Sequence, residues 1–82
     1  MLEGSIRPSL EALQDIDRLV AQRIKQIRKA KGITQDQLAE LAGLNRTHLY
    51  RLEGGKQSMT LHTLKLIADA LQVQASELVK GV

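Results

Sequence analysis

The chain contains no cysteine, no tryptophan and no phenylalanine, and Tyr50 is its only aromatic residue. Without cysteine there can be no disulfide, no thiol nucleophile and no thiolate metal site. A core that lacks large rings has to be built from Leu, Ile, Val and Ala. That suits short, closely packed helices and suits a β-sandwich badly, so the expected fold class is all-α. Apolar runs are short, and none approaches the ~20 residues needed to span a bilayer. The opening Met-Leu-Glu-Gly-Ser has no basic start followed by an apolar stretch, so it does not read as a signal peptide. The cytoplasm is the expected location.

Histidine is scarce as well. His48 and His62 fall on different predicted helices, with no His-x-x-x-His spacing, so no zinc site is expected. The one glycine pair, Gly54-Gly55, lacks the context of a phosphate-binding loop. No serine, histidine and acid stand in a combination that suggests a catalytic triad. Neither an enzyme nor a bound cofactor is expected.

What remains is 82 residues, 43% of them hydrophobic, enough for one folded domain. A domain this small buries a modest share of its surface and gains stability from pairing. The net charge of +3 is unevenly spread. Residues 1–17 sum to −3, whereas residues 18–31 carry Arg18, Arg23, Lys25, Arg28, Lys29 and Lys31 with no acid, a sum of +6. Such a segment attracts a polyanion or forms a solvated helix face, and charge alone does not choose between them.

Apolar spacing is helical throughout, with no alternation of period two. A first helical stretch over about 9–31 carries Leu10, Leu13, Ile16, Val20, Ile24 and Ile27 on one face. Pro8 suits its first turn and Gly32 its stop. One long helix or two broken near residues 15–17 fit equally. Thr34 opens a second helix with a capping box, Thr34-Gln35-Asp36-Gln37. Leu38, Leu41 and Ala42 form its predicted buried stripe, and Gly43 ends it. Asn45 caps a third helix running to about Glu53, stopped by Gly54-Gly55. Thr60 caps a fourth, to about Leu71, whose predicted buried face is Leu61, Leu64, Ile67, Ala68 and Leu71. A short fifth covers about 75–80 behind Gln74, a weak cap.

Only Gly43-Leu44-Asn45 separates the second helix from the third. A link this short forces a sharp crossing, as in a helix-turn-helix. Ala39 is small where the two backbones would approach, and Leu49 and Leu52 would anchor the third helix. On a wheel of about 100° per residue, Arg46, Thr47, Tyr50 and Arg51 lie opposite those leucines. Arginine offers paired donors to guanine, and a threonine methyl can meet a thymine methyl. These four are the candidate base-contacting residues, with Arg46 and Thr47 at the N-terminal end that enters a major groove first.

From Thr34 to Lys56 the sequence resembles the Cro and phage-repressor type of helix-turn-helix, the Xre family. The pattern is matched by Thr34, Gln35, Leu38, Ala39, Gly43, Leu49, Leu52, Glu53, Gly55 and Lys56. The resemblance extends over about residues 18–80. It implies a compact five-helix, lambda-repressor-like DNA-binding domain at 18–80, behind an N-terminal helical extension at 1–17. It also implies a sequence-specific transcriptional regulator, homodimeric on two half-sites of a palindromic operator in double-stranded DNA. By the same resemblance Gln35 and Lys56 meet phosphates, Arg46, Thr47 and Arg51 stand at base-reading positions, and Arg28 and Glu53 form a structural ion pair. The repressor-like fold also serves antitoxins and restriction-modification controllers. A module whose main partner is a protein, docked through the N-terminal helix, is the alternative from another class. The extension at 1–17 reads either as that docking or dimerisation helix, or as a segment packed back on its own domain.

Overall fold

The fold is a computed structural model, described for residues 10–82 and, for side chains, from Asp15 onward. Pro8 and Ser9, and the side chains of Leu10 and Leu13, therefore lie outside the described residues. Within them the chain is all-helical: α1 (Leu10–Ala30), α2 (Gln35–Ala42), α3 (Arg46–Glu53), α4 (Leu61–Leu71) and α5 (Ala75–Leu78). The first stretch is a single helix that runs through residues 15–17 without a break. No helix among the described residues is long and apolar enough to cross a membrane.

Local chemistry sets the helix boundaries. Thr34 accepts from the backbone N–H of Gln37, and the Gln37 side chain accepts from the Thr34 backbone N–H at 2.9 Å, closing the capping box of α2. Gly43 ends that helix at φ 70°, ψ 30°. The Leu44 N–H returns to the Ala39 carbonyl at 2.8 Å, so the turn satisfies carbonyls the helix end would leave open. Asn45 accepts from the backbone N–H groups of Thr47 and His48 at the start of α3. Thr60 does the same for Thr63 at the start of α4. α5 ends at Leu78 rather than at residue 80, and Gln74 makes no side-chain cap bond.

The core is aliphatic. Ile24, Leu38, Leu49, Leu52, Ile67, Leu71 and Leu78 are almost completely buried, with Val20, Ala39, Ala42 and Ala68 between them. α1 packs on α3, α4 and α5, while α2 lies against α3 and α4. Three predicted core positions are instead open to solvent: Leu61 is 84% exposed, Leu41 62% and Ile16 48%. Each sits at the edge of its apolar stripe. In α2 the small residues Ala39 and Ala42 face inward beside Leu38, which turns Leu41 outward. In α4 Thr63 is buried and Leu61, the first helical residue, is left in solvent. In α1 the burial of Ala21 shifts the inner face away from Ile16. The sequence also gave no sign that Gln72 would end α4 in the left-handed region, at φ 59°.

The left-handed turn at Gly43 can be tested alone, because a Cβ added there would meet nothing within 4 Å. We expect Gly43→Ala to cost roughly 1–2 kcal/mol through backbone strain. In a chain of this size each kcal/mol lowers the melting temperature by about 4–8 °C. Thermal denaturation followed by circular dichroism checks this.

Candidate nucleic-acid interface

The short turn between α2 and α3 buries Leu49 and Leu52 and leaves the opposite side of α3 in solvent. Arg46, Thr47, Tyr50 and Arg51 are all exposed on that side. His48 is half-buried at its edge. Lys56 is exposed in the loop that follows, just after Gly55 turns at φ 68° against Arg18.

Behind this face lies a polar brace. The Arg28 Nε and Nη2 donate to the two carboxylate oxygens of Glu53 at 2.7 and 3.1 Å, and the Arg28 Nη1 donates to the Ile33 carbonyl at 2.8 Å. Both side chains of the pair are more than nine-tenths buried. Gln35 completes the group, its Nε2 donating to Glu53 Oε1 at 3.1 Å. One carboxylate at the end of α3 is thus held from α1 and from the start of α2. A buried ion pair is tolerated only when its remaining hydrogen-bonding capacity is met. Among the described residues no buried side-chain nitrogen or oxygen lacks a partner.

A second polar cluster lies on the exposed face itself. Asp36, in the first turn of α2, accepts from Arg46 Nη1 at 3.0 Å through Oδ2 and from the Tyr50 hydroxyl through Oδ1. The Tyr50 hydroxyl, with smaller help from Arg46, holds the Asp36 carboxyl below the usual carboxylate range. The same bond to Asp36 raises the Tyr50 phenol above its ordinary value. Sequence reasoning missed Asp36 as a partner of both. An acid in a helix's first turn is favoured by the helix dipole alone, so the residue type carried no hint of what it would meet across the turn.

The basic run of α1 does not survive as a single patch. Arg28 is committed to Glu53, and Arg23 donates to the carbonyls of Glu77 at 2.8 Å and Lys80 at 3.0 Å, closing the end of α5. Arg18 pairs with Asp15. Lys25, Lys29 and Lys31 are exposed. No group of His, Asp or Glu among the described residues is disposed to hold a metal ion.

Comparison with known proteins agrees with this geometry. Residues 24–78 match the family described as "Helix-turn-helix". The immunity repressor protein of Bacillus phage phi105 is 47% identical over 60 residues, 73% of this chain and 42% of the repressor. The chain therefore spans less than half the length of that relative. The control protein C.SmaI of Serratia marcescens is 34% identical over 64 residues, 78% of this chain and 76% of the control protein. Among solved structures, the restriction-modification controller protein C.AhdI from Aeromonas hydrophila superposes with a TM-score of 0.74 at 34% identity, covering 76% of this chain and 94% of the controller. The chain belongs to the helix-turn-helix family, a class of DNA-binding transcriptional regulators.

Two outcomes follow from the polar clusters. Glu53→Ala leaves the Arg28 guanidinium buried and unpaired, and we expect a loss of about 3–5 kcal/mol in chemical denaturation. Replacing both partners with apolar residues of similar volume, Arg28→Met with Glu53→Leu, should recover part of that loss, the remainder reflecting the Ile33 carbonyl and Gln35 amide that lose their partners. Tyr50 is the only tyrosine, so its ionisation is directly visible in ultraviolet absorbance. We expect it to titrate above the ordinary phenol range of about 10 and to return toward that range in Asp36→Asn. The charge-assisted Asp36–Tyr50 bond is fully present between the usual carboxylate and usual phenol ranges; it is lost as pH rises through the raised phenol pKa, and as pH falls through the lowered carboxyl pKa.

Proposed function

We propose that the chain is a sequence-specific transcriptional regulator that inserts α3 into the major groove of double-stranded DNA. The observation that carries this reading is the joint exposure of Arg46, Thr47, Tyr50 and Arg51, opposite the buried Leu49 and Leu52. Arg46 and Arg51 supply paired donors for guanine, and Thr47 a hydroxyl and a methyl for thymine. The Tyr50 hydroxyl gives its proton to Asp36, so its oxygen is left to accept from a base amino group such as adenine N6 or cytosine N4. Contacts that fix position rather than sequence come from Lys56 and from the first turn of α2, where the Gln35 backbone N–H has no acceptor within the helix. The Gln35 side chain already donates to Glu53, so its share in phosphate binding falls chiefly to the backbone. In this reading the chain works in the cytoplasm.

The reader acts as a homodimer on two half-sites about one helical turn apart. Support comes from the apolar side chains left open beside α4: Leu61, Val79 and Ile16 border a groove of about 180 Å³ that also touches Met59 and Leu64. A second copy covering this face would remove from water the apolar area that a small domain leaves exposed. In this reading the DNA-binding unit is 18–80, and residues 1–17 are an N-terminal extension whose last part, from Leu10, is the beginning of α1.

Gel-shift titration at rising salt tests the reading directly, because a phosphate-neutralising protein loses affinity steeply as salt increases. We expect Arg46→Ala to weaken binding to the preferred duplex by ~1–3 kcal/mol and to relax one base-pair position. Lys56→Ala should weaken binding to all duplexes alike and flatten the salt slope by about one. An affinity that ignores salt would refute the DNA-binding assignment. For the assembly, Leu61→Glu should shift sedimentation toward the monomer and abolish the advantage of a two-half-site duplex over a single half-site.

A further inference from the structure

Asp36 is out of keeping with its surroundings. It is a carboxylate on a face that, in the reading above, meets a polyanion, and there it repels phosphates. Stability does not explain it. The Asp36–Arg46 pair is exposed, with 50% and 67% of the two side chains open to solvent, and exposed pairs of this kind contribute little. The helix dipole accounts for an acid in the first turn of α2. It does not account for an acid whose two oxygens each take a different side chain of α3.

Those two side chains, Arg46 and Tyr50, are one helical turn apart on the outward face, and Asp36 reaches both from the neighbouring helix. The arrangement constrains what they can do. With Nη1 held, the Arg46 guanidinium keeps its Nε and Nη2 edge, two parallel donors of the kind that match the O6 and N7 acceptors of guanine. A guanidinium without this restraint sweeps many rotamers and can satisfy itself on the nearest phosphate, a contact that carries no sequence information. Holding the group in advance reduces the freedom lost on binding and narrows its choice of partner.

We infer that Asp36 is a positioning residue for base readout, whose carboxylate aims Arg46 and Tyr50 at base edges and keeps Arg46 off the phosphate backbone. This rests on the major-groove reading proposed above. Asp36 is thereby a determinant of specificity that lowers affinity for DNA in general while sharpening the preference for one sequence. Removing its charge should tighten binding to arbitrary DNA and blur discrimination together, a combination that neither a structural defect nor a lost contact produces.

The test uses the full chain and two duplexes, one recovered by the wild-type protein from a randomised-site selection and one a scramble of equal composition. We expect Asp36→Asn to bind the scrambled duplex more tightly, and to reduce the ratio of affinities about two- to fivefold, the scale of the exposed ion pair that is lost. A repeated selection with Asp36→Asn should relax the base pair that Arg46→Ala relaxes, while the melting temperature falls by no more than about 8 °C, the most that losing one first-turn charge explains. Asp69→Asn removes one acid from α4, where Asp69 accepts from Lys65, and should leave the ratio unchanged. An unchanged ratio in Asp36→Asn overturns the inference. So does an equal change on both duplexes, which would reduce Asp36 to a generic charge. A wild-type chain that recovers no preferred duplex would remove the major-groove reading itself, a result distinct from either.

Discussion

The carboxylate of Glu53 is the point at which three helices of this protein are joined. It lies at the end of α3, takes two bonds from Arg28 of α1, and takes a third from Gln35 at the start of α2. Burying such a pair is costly, since both charges lose their water, and only near-complete hydrogen bonding offsets the loss. Arg28 meets this condition by spending its remaining nitrogen on the Ile33 carbonyl in the turn between α1 and α2. The reward is geometric more than energetic. An aliphatic core of Ile24, Leu38, Leu49 and Leu52 is close-packed but carries no directional bond. The ion pair supplies direction and fixes how α3 is rotated about its own axis.

That rotation decides which residues face outward. With Leu49 and Leu52 turned into the core, Arg46, Thr47, Tyr50 and Arg51 have nowhere to go but solvent. The inner polar cluster around Glu53 and the outer one around Asp36 therefore differ in kind. The inner is dry, shared among three helices and satisfied. The outer is wet, reaches only across the turn, and perturbs the ionisation of both Asp36 and Tyr50, chiefly through the hydrogen bond between them. Interactions of the first kind define a fold, whereas those of the second adjust a surface.

Much of the fold could be read from the sequence because its boundaries are written locally. The capping box at Thr34 and Gln37, the caps at Asn45 and Thr60 and the stop at Gly43 each involve neighbours within a few residues. What could not be read depends on how finished helices meet. Ile16, Leu41 and Leu61 lie at the edges of their apolar stripes and are exposed, because periodicity defines a face but not its width. Arg23 looked like one of several basic side chains until α5 arrived to offer it two carbonyls, 54 and 57 residues away. Gln72 takes a backbone conformation that residue type disfavours, so no local signal announced it. The candidate reading face was visible as a pattern on α3, but the hold of Asp36 on it was not, since that hold exists only at the crossing angle α2 and α3 adopt.

The three-way anchoring of Glu53 bears on how the proposed reading helix would meet a groove. A helix clamped at its far end by two neighbours, and packed along one side, has little freedom to roll or tilt in a groove. If α3 enters the major groove as proposed, adjustment falls on the more pliant partner, the double helix, whose bending energy depends on base composition at steps no side chain reaches. Preferences should accordingly arise at base pairs lying between the touched ones, recorded in stiffness and groove width instead of in hydrogen bonds.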